Sequence, residues 1–229
     1  MTPLTWGRTR LPACLVLPLA LASTPCLAVD SLREQEMQQC LPGEIATWGD
    51  SLDRPAVSGS MLFLYKHIGA PSWFDESRVL GHVRLAAQAW SECGVIAKVD
   101  RFSPGTRLPD NGVLVQWSDD ESRHNFGLAN LGNKTLNLGP AAFQLLKARN
   151  PAADSAQTLQ MVISHEMGHL FGVMSHSRRC VDVTSYYDNG KGESCSIRGG
   201  GVRPAGVEYR ATLPTTCDIQ RCKAANTVR

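Results

Sequence analysis

The sequence predicts an α+β domain built around two main helices, with an irregular C-terminal subdomain. Three observations predict it. Apolar runs of strand length and amphipathic helical stripes are interspersed through the first two thirds of the chain. A strong helical stripe follows, with Leu159, Val162, Ile163, Glu166, Leu170 and Val173 at helical spacing. Beyond His176 regular patterning fades into Asp188-Asn189-Gly190, Gly192 and Gly199-Gly200-Gly201.

The chain begins with the pattern of a cleaved signal peptide over residues 1–28. Arg8 and Arg10 form a positive start, Leu11–Ala22 is a short apolar run, and Cys26-Leu27-Ala28 offers small residues for cleavage before Val29. The apolar run is too short to span a bilayer. A secreted or periplasmic protein without stable membrane insertion is therefore expected. Cleavage removes two arginines and no acid, taking the net charge from +2 to about zero, so no nucleic-acid footprint is expected. About 201 residues remain, enough for one domain with a real core. That domain is expected over residues 61–229 as a monomer, preceded by a polar, irregular arm over 29–60 that contains Pro42, Gly43, Pro55 and Gly59.

Met61–Ile68 is a nearly continuous apolar run and reads as a buried strand. Asp75 can cap a helix whose residues Val79, Val83, Ala86, Ala87 and Trp90 form one stripe ending near Gly94. Val95–Phe102 reads as a second strand, and Val113, Val115 and Trp117 alternate on a third. Phe126–Leu131 and Lys134–Leu138 flank Gly132-Asn133, which signals a hairpin. Asp154, with Gln157 three residues on, starts the second main helix, and Gly172 ends it. A last short helix is expected from Thr215 to about Ala225, with Thr215 and Asp218 as caps. Once Cys14 and Cys26 leave with the signal, six cysteines remain, an even number that suits disulfides in an oxidising compartment. Fifteen connectivities are open. Cys40–Cys93 would pin the arm, Cys180–Cys195 would bracket the turn between them, and Cys217–Cys222 requires that segment not to be regular helix.

The chemistry concentrates in Ser164-His165-Glu166-Met167-Gly168-His169, followed by His176. Residues four apart share a helix face, so His165 and His169 stand side by side and suit one Zn²⁺. Glu166 then lies beside the metal, placed to take a proton from water rather than to ligate. The plain alternative is a pair of histidines satisfied within a buried helix. His67, His82 and His124 lack metal-ligand spacing and are expected to be structural or solvated.

The stretch His165-Glu166-Met167-Gly168-His169-Leu170-Phe171-Gly172-Val173-Met174-Ser175-His176-Ser177 resembles the metzincin signature HExxHxxGxxH, most closely that of matrixins and their bacterial relatives. Two departures are present. His176 lies one residue beyond the family's ligand position, where Ser175 stands, and Asp182-Val183-Thr184-Ser185-Tyr186-Tyr187 resembles the family's Met-turn with Thr184 in place of Met. The resemblance implies a twisted mixed sheet carrying two helices. It also implies zinc held by His165, His169 and His176, Glu166 as general base, and Tyr186 as a candidate for stabilising the oxyanion. Asp182 is a fallback ligand, since one metzincin branch uses Asp; Glu193 ranks well below His176, since the zincin class that uses a Glu takes it from a downstream helix and Glu193 stands in a Gly- and Ser-rich stretch. The last strand before the active-site helix is an antiparallel edge in that family, which makes Thr135–Leu138 the candidate for pairing with an extended peptide, the plain alternative being a surface hairpin with no role. Some matrixins have an inhibitory cysteine, but Gln39-Cys40-Leu41-Pro42-Gly43 lacks its surrounding pattern, and Cys40 is expected in a disulfide.

The expectation is a zinc endopeptidase acting on peptide or protein substrates. Two other readings remain open: a zinc-stabilised binding module with little turnover, and a metal-free disulfide scaffold with an accidental motif.

Overall fold

The computed structural model describes residues 32–105, 107–203 and 206–227. The signal-peptide expectation lies outside these residues. The fold is α+β around a mixed five-stranded sheet of order β2-β1-β3-β5-β4. Its strands are β1 (Ser60–Tyr65), β2 (Ile96–Arg101), β3 (Gly112–Trp117), β4 (Gly127–Asn130) and β5 (Thr135–Leu138). β1 pairs in parallel with both β2 and β3, β3 pairs in parallel with β5, and only β4 runs antiparallel to its neighbour β5. The helices are α1 (Leu32–Gln38), α2 (Glu76–Ser91), α3 (Asp119–Ser122), α4 (Pro140–Arg149), α5 (Ser155–Leu170) and α6 (Thr216–Asn226).

Local chemistry sets the ends of the long helices. The Asp75 carboxylate accepts from Arg78 N and starts α2, and Asp154 accepts from Ala156 N and Gln157 N at the start of α5. At α6, Thr215 and Asp218 form a reciprocal capping box. The expected stripe of α2 is buried as a set: Val79, Val83, Ala86, Ala87 and Trp90. That face meets α5, where the Trp90 indole donates to Ser164 O at 2.8 Å. A Cβ on Gly168 would lie 2.7 Å from the Trp90 ring, so glycine there lets the two helices close. Phe171 continues the packing, its ring 5.8 Å from Trp90 and 6.3 Å from Phe63 of β1.

The structure departs from expectation in three places. The outer strand of the hairpin is β4, over residues 127–130, and not Thr135–Leu138. β5 lies inside it because the chain leaves β3 through α3, runs back along the outside as β4, and returns between the two. Its buried Leu136, Asn137 and Leu138 fit an inner strand. The arm is also not wholly irregular, because α1 docks on α6. Finally, Cys40 pairs with Cys217 and Cys93 with Cys222, so Cys40–Cys93 is not formed, whereas Cys180–Cys195 is. Cys217 and Cys222 lie on regular helix and each therefore bonds to another segment. Among the described residues no helix is long and apolar enough to cross a membrane.

Candidate metal centre

α5 presents His165 and His169 on one face, one helical turn apart, with ring centroids 5.1 Å apart. The helix stops at Phe171, and Gly172 takes a φ of +98°, reversing the chain as expected of a glycine at this position. The following loop brings the His176 ring to 5.2 Å from His165 and 5.1 Å from His169. One ring nitrogen from each of the three histidines lies within 4.8 Å of the other two.

The partners of the other nitrogens fix which one faces inward. His165 Nδ1 donates to Val183 O at 2.8 Å, and His169 Nδ1 donates to Val173 O at 2.9 Å. His176 Nδ1 meets the Asp50 carboxylate at 2.5 Å. A carbonyl or carboxylate oxygen can only accept, so all three protons sit on Nδ1 and all three Nε2 lone pairs are left to bind. His176 Nε2 is buried and has no hydrogen-bond partner. An orphaned buried acceptor converging with a ring nitrogen from each of two further histidines is a donor set that suits Zn²⁺, with one position left open. Burial holds His165 well below the usual imidazole range, reinforced by the charges of His169 and His176. Burial also lowers His176, although its bond to Asp50 works the other way. Both rings therefore stay neutral, as ligation requires.

Glu166 points to the same place from α5. Its Oε2 accepts from Ala129 N of β4 at 2.8 Å, which leaves Oε1 free of that bond. Burial raises its pKa, against smaller opposing effects from His169 and the Ala129 N–H. β4 comes this close because Gly127 has no side chain, as a Cβ there would stand 2.6 Å from Val162 and 2.7 Å from Glu166. The histidines and Glu166 line an open cleft of about 520 Å³, walled by β4 on one side and reached by Asp50, Met161 and Arg210. Tyr186 stacks on His176 with ring centroids 3.6 Å apart and is 47% exposed at the cleft. Burial, and then the charges of Glu166 and Asp50, raise its phenol pKa.

The remaining expected residues lie elsewhere. Ser175 turns away and donates to Asp50 Oδ1 at 2.9 Å. Asp182 is buried, paired with Arg179 at 2.9 Å and accepting from Ser177 and Thr215, outside the histidine group. Glu193 is exposed and bonds Asn189. Thr184 is fully buried: its Oγ1 donates to Asp218 Oδ1 at 2.6 Å, and Asp218 also accepts from Val183 N at 2.9 Å. The turn beneath the histidines is thus tied to α6 by hydrogen bonds.

Sequence reasoning missed Asp50 and Asp53. The Asp53 carboxylate accepts from Met174 N at 2.8 Å and Ser175 N at 3.0 Å and pairs with Arg221. Asp50 accepts from Ser175 Oγ, His176 N and His176 Nδ1. Burial alone would raise Asp50, but these hydrogen bonds outweigh it and hold the carboxyl down to about 2. Neither residue has motif spacing, and each meets a segment more than 120 residues away in sequence.

No protein-family profile matches the sequence, and no curated protein is similar to it. Among solved structures, the chain is similar to a chain of the "GM1 bound form of the ECX AB5 holotoxin", at 12% sequence identity and a TM-score of 0.43. The alignment covers 76% of this chain and 86% of that one, and likeness of this extent carries no inference about chemistry.

Proposed function

We propose that this protein is an exported zinc-dependent endopeptidase of the metzincin kind, in which His165, His169 and His176 hold the metal and Glu166 is the general base. The observation that carries this reading is the convergence of three unprotonated Nε2 atoms with the Glu166 carboxylate on one open cleft. A site serving only to stabilise the fold would be closed by a fourth protein ligand, and among the described residues the histidine group has none. A zinc ion held there would lower the pKa of its bound water to about 7 and polarise a peptide carbonyl.

The chain's own residues supply positioning and proton transfer. Glu166 Oε2 is anchored by the β4 backbone, so Oε1 faces the cleft as the proton carrier. Its raised pKa brings it nearer to neutrality, where a carboxylate both takes a proton from water and returns it to a leaving amine. Tyr186, held by stacking on His176, presents its phenol at the same cleft as a donor to developing negative charge. An extended peptide fits beside β4, the antiparallel edge, through main-chain hydrogen bonds. Three disulfides suit export to an oxidising compartment.

The test is hydrolysis of an unfolded protein by the zinc-loaded full chain, with Glu166→Ala alongside. Loss of the base should lower kcat by about 10²–10⁴-fold at unchanged zinc content. Equal cleavage by both proteins would refute the mechanism, and cleavage by neither would leave a binding protein.

A further inference from the structure

We infer that Asp50 is a positioning residue for His176, and that the N-terminal arm is a working part of the metal centre. This inference rests on the zinc reading and deepens it. The third histidine arrives one residue late, on a loop that has left helical geometry, and the arm wraps that loop. Arg54 N donates to Gly172 O, Trp48 N donates to His176 O, and Arg178 N donates to Ala46 O, at 2.9–3.0 Å. Asp53 accepts from the two amides of Met174 and Ser175 and ties them to Arg221 of α6. Asp50 is the one of these residues whose hydrogen bond to the ring is seen.

Its two oxygens do different things. Oδ1 accepts from Ser175 Oγ at 2.9 Å and His176 N at 3.0 Å, which fixes the loop backbone. Oδ2 meets His176 Nδ1 at 2.5 Å, which keeps the proton there and the lone pair on Nε2. His165 and His169 are oriented by carbonyls of the adjoining loop and turn. Only His176 takes its orientation from a side chain 126 residues away. The Cys40–Cys217 disulfide fastens the arm's start to α6, the helix that also holds Asp53 through Arg221.

This division of labour makes Asp50→Asn informative, because asparagine has almost the same shape. With its oxygen toward His176 N and Ser175, its amide would point N–H groups at Nδ1 and favour the tautomer with the proton on Nε2, which cannot ligate. Flipped, it would set two N–H donors against each other at the His176 backbone. Asp50→Glu keeps a pure acceptor at the cost of one methylene.

The test is zinc affinity of the full chain, read by competition with a fluorescent chelator for wild type, Asp50→Asn and Asp50→Glu. The visible spectrum at saturating Co²⁺ gives a second readout. Asp50→Asn should weaken zinc by about 10–100-fold and alter the cobalt bands, and Asp50→Glu should recover most of both. A merely structural carboxylate would lower stability without changing the spectrum of the saturated site. The proposal is overturned if Asp50→Asn binds within about twofold of wild type, or if Asp50→Glu is no better than Asp50→Asn. If wild type itself binds no zinc, the zinc reading falls and this inference with it.

Discussion

Gly172→Ala tests whether the arm and the active-site loop are one unit. Gly172 sits at a φ of +98°, and a Cβ added there would stand 1.9 Å from Arg54 O and 3.1 Å from Ala56 N. Left-handed backbone costs an L-residue about 1–2 kcal/mol. The obstruction is main chain, so the arm itself must move. Moving it breaks the bonds from Arg54 N to Gly172 O and from Val57 N to Leu170 O, both 3.0 Å. At about 1 kcal/mol for each, the loss should total about 3–4 kcal/mol. For a chain of this size that corresponds to a fall in Tm of about 6–16 °C. Denaturant unfolding of the full chain should show a lower midpoint with an unchanged m-value. Zinc should also bind less tightly, since Asp50 rides on the displaced segment. A destabilisation below about 1 kcal/mol would show that the arm is loosely attached and would refute the reasoning.

Three further outcomes follow from where the acidic and histidine side chains lie. His176→Ala should lower zinc affinity by orders of magnitude in a chelator competition, whereas Ser175→Ala should have a much smaller effect because its hydroxyl faces Asp50; equal losses would be contrary to the assignment. Asp182→Asn should leave zinc content intact, since Asp182 lies outside the histidine group. Its pH dependence carries a sign. Burial, and then the charge of Asp218, push the Asp182 carboxyl up, despite Arg179 and the hydroxyls of Ser177 and Thr215. A carboxyl raised in the folded state holds a proton that the unfolded chain has released, so wild-type stability should fall as pH rises above the ordinary aspartate value of about 3.9. Relative to wild type, Asp182→Asn should therefore gain stability as pH rises above that value; a flat difference would remove Asp182 from the account.

The parts of the fold legible in the sequence are those that local chemistry determines. Asp75, Asp154 and the Thr215–Asp218 pair cap helices where their spacing says they should, and the stripe on α2 is buried as read. His165, Glu166 and His169 owe their juxtaposition to one helix, so spacing alone places them. α4 was not legible because Phe143 is its only buried residue, and one apolar side chain makes no period. The exchange of β4 and β5 at the edge was hidden because a hairpin signal does not say which strand joins the sheet. Disulfide partners and Asp50 were hidden for a related reason. Cys40–Cys217 and Asp50–His176 join segments 177 and 126 residues apart, and nothing in either segment alone names the other.

The central claim, a zinc ion held by three imidazoles with one position open, is tested most directly by X-ray absorption at the zinc edge on the full chain. The account predicts three imidazole nitrogens at about 2.0–2.1 Å and one further oxygen. Sulfur in the coordination shell, fewer than three imidazoles, or four protein ligands and no open position would contradict it.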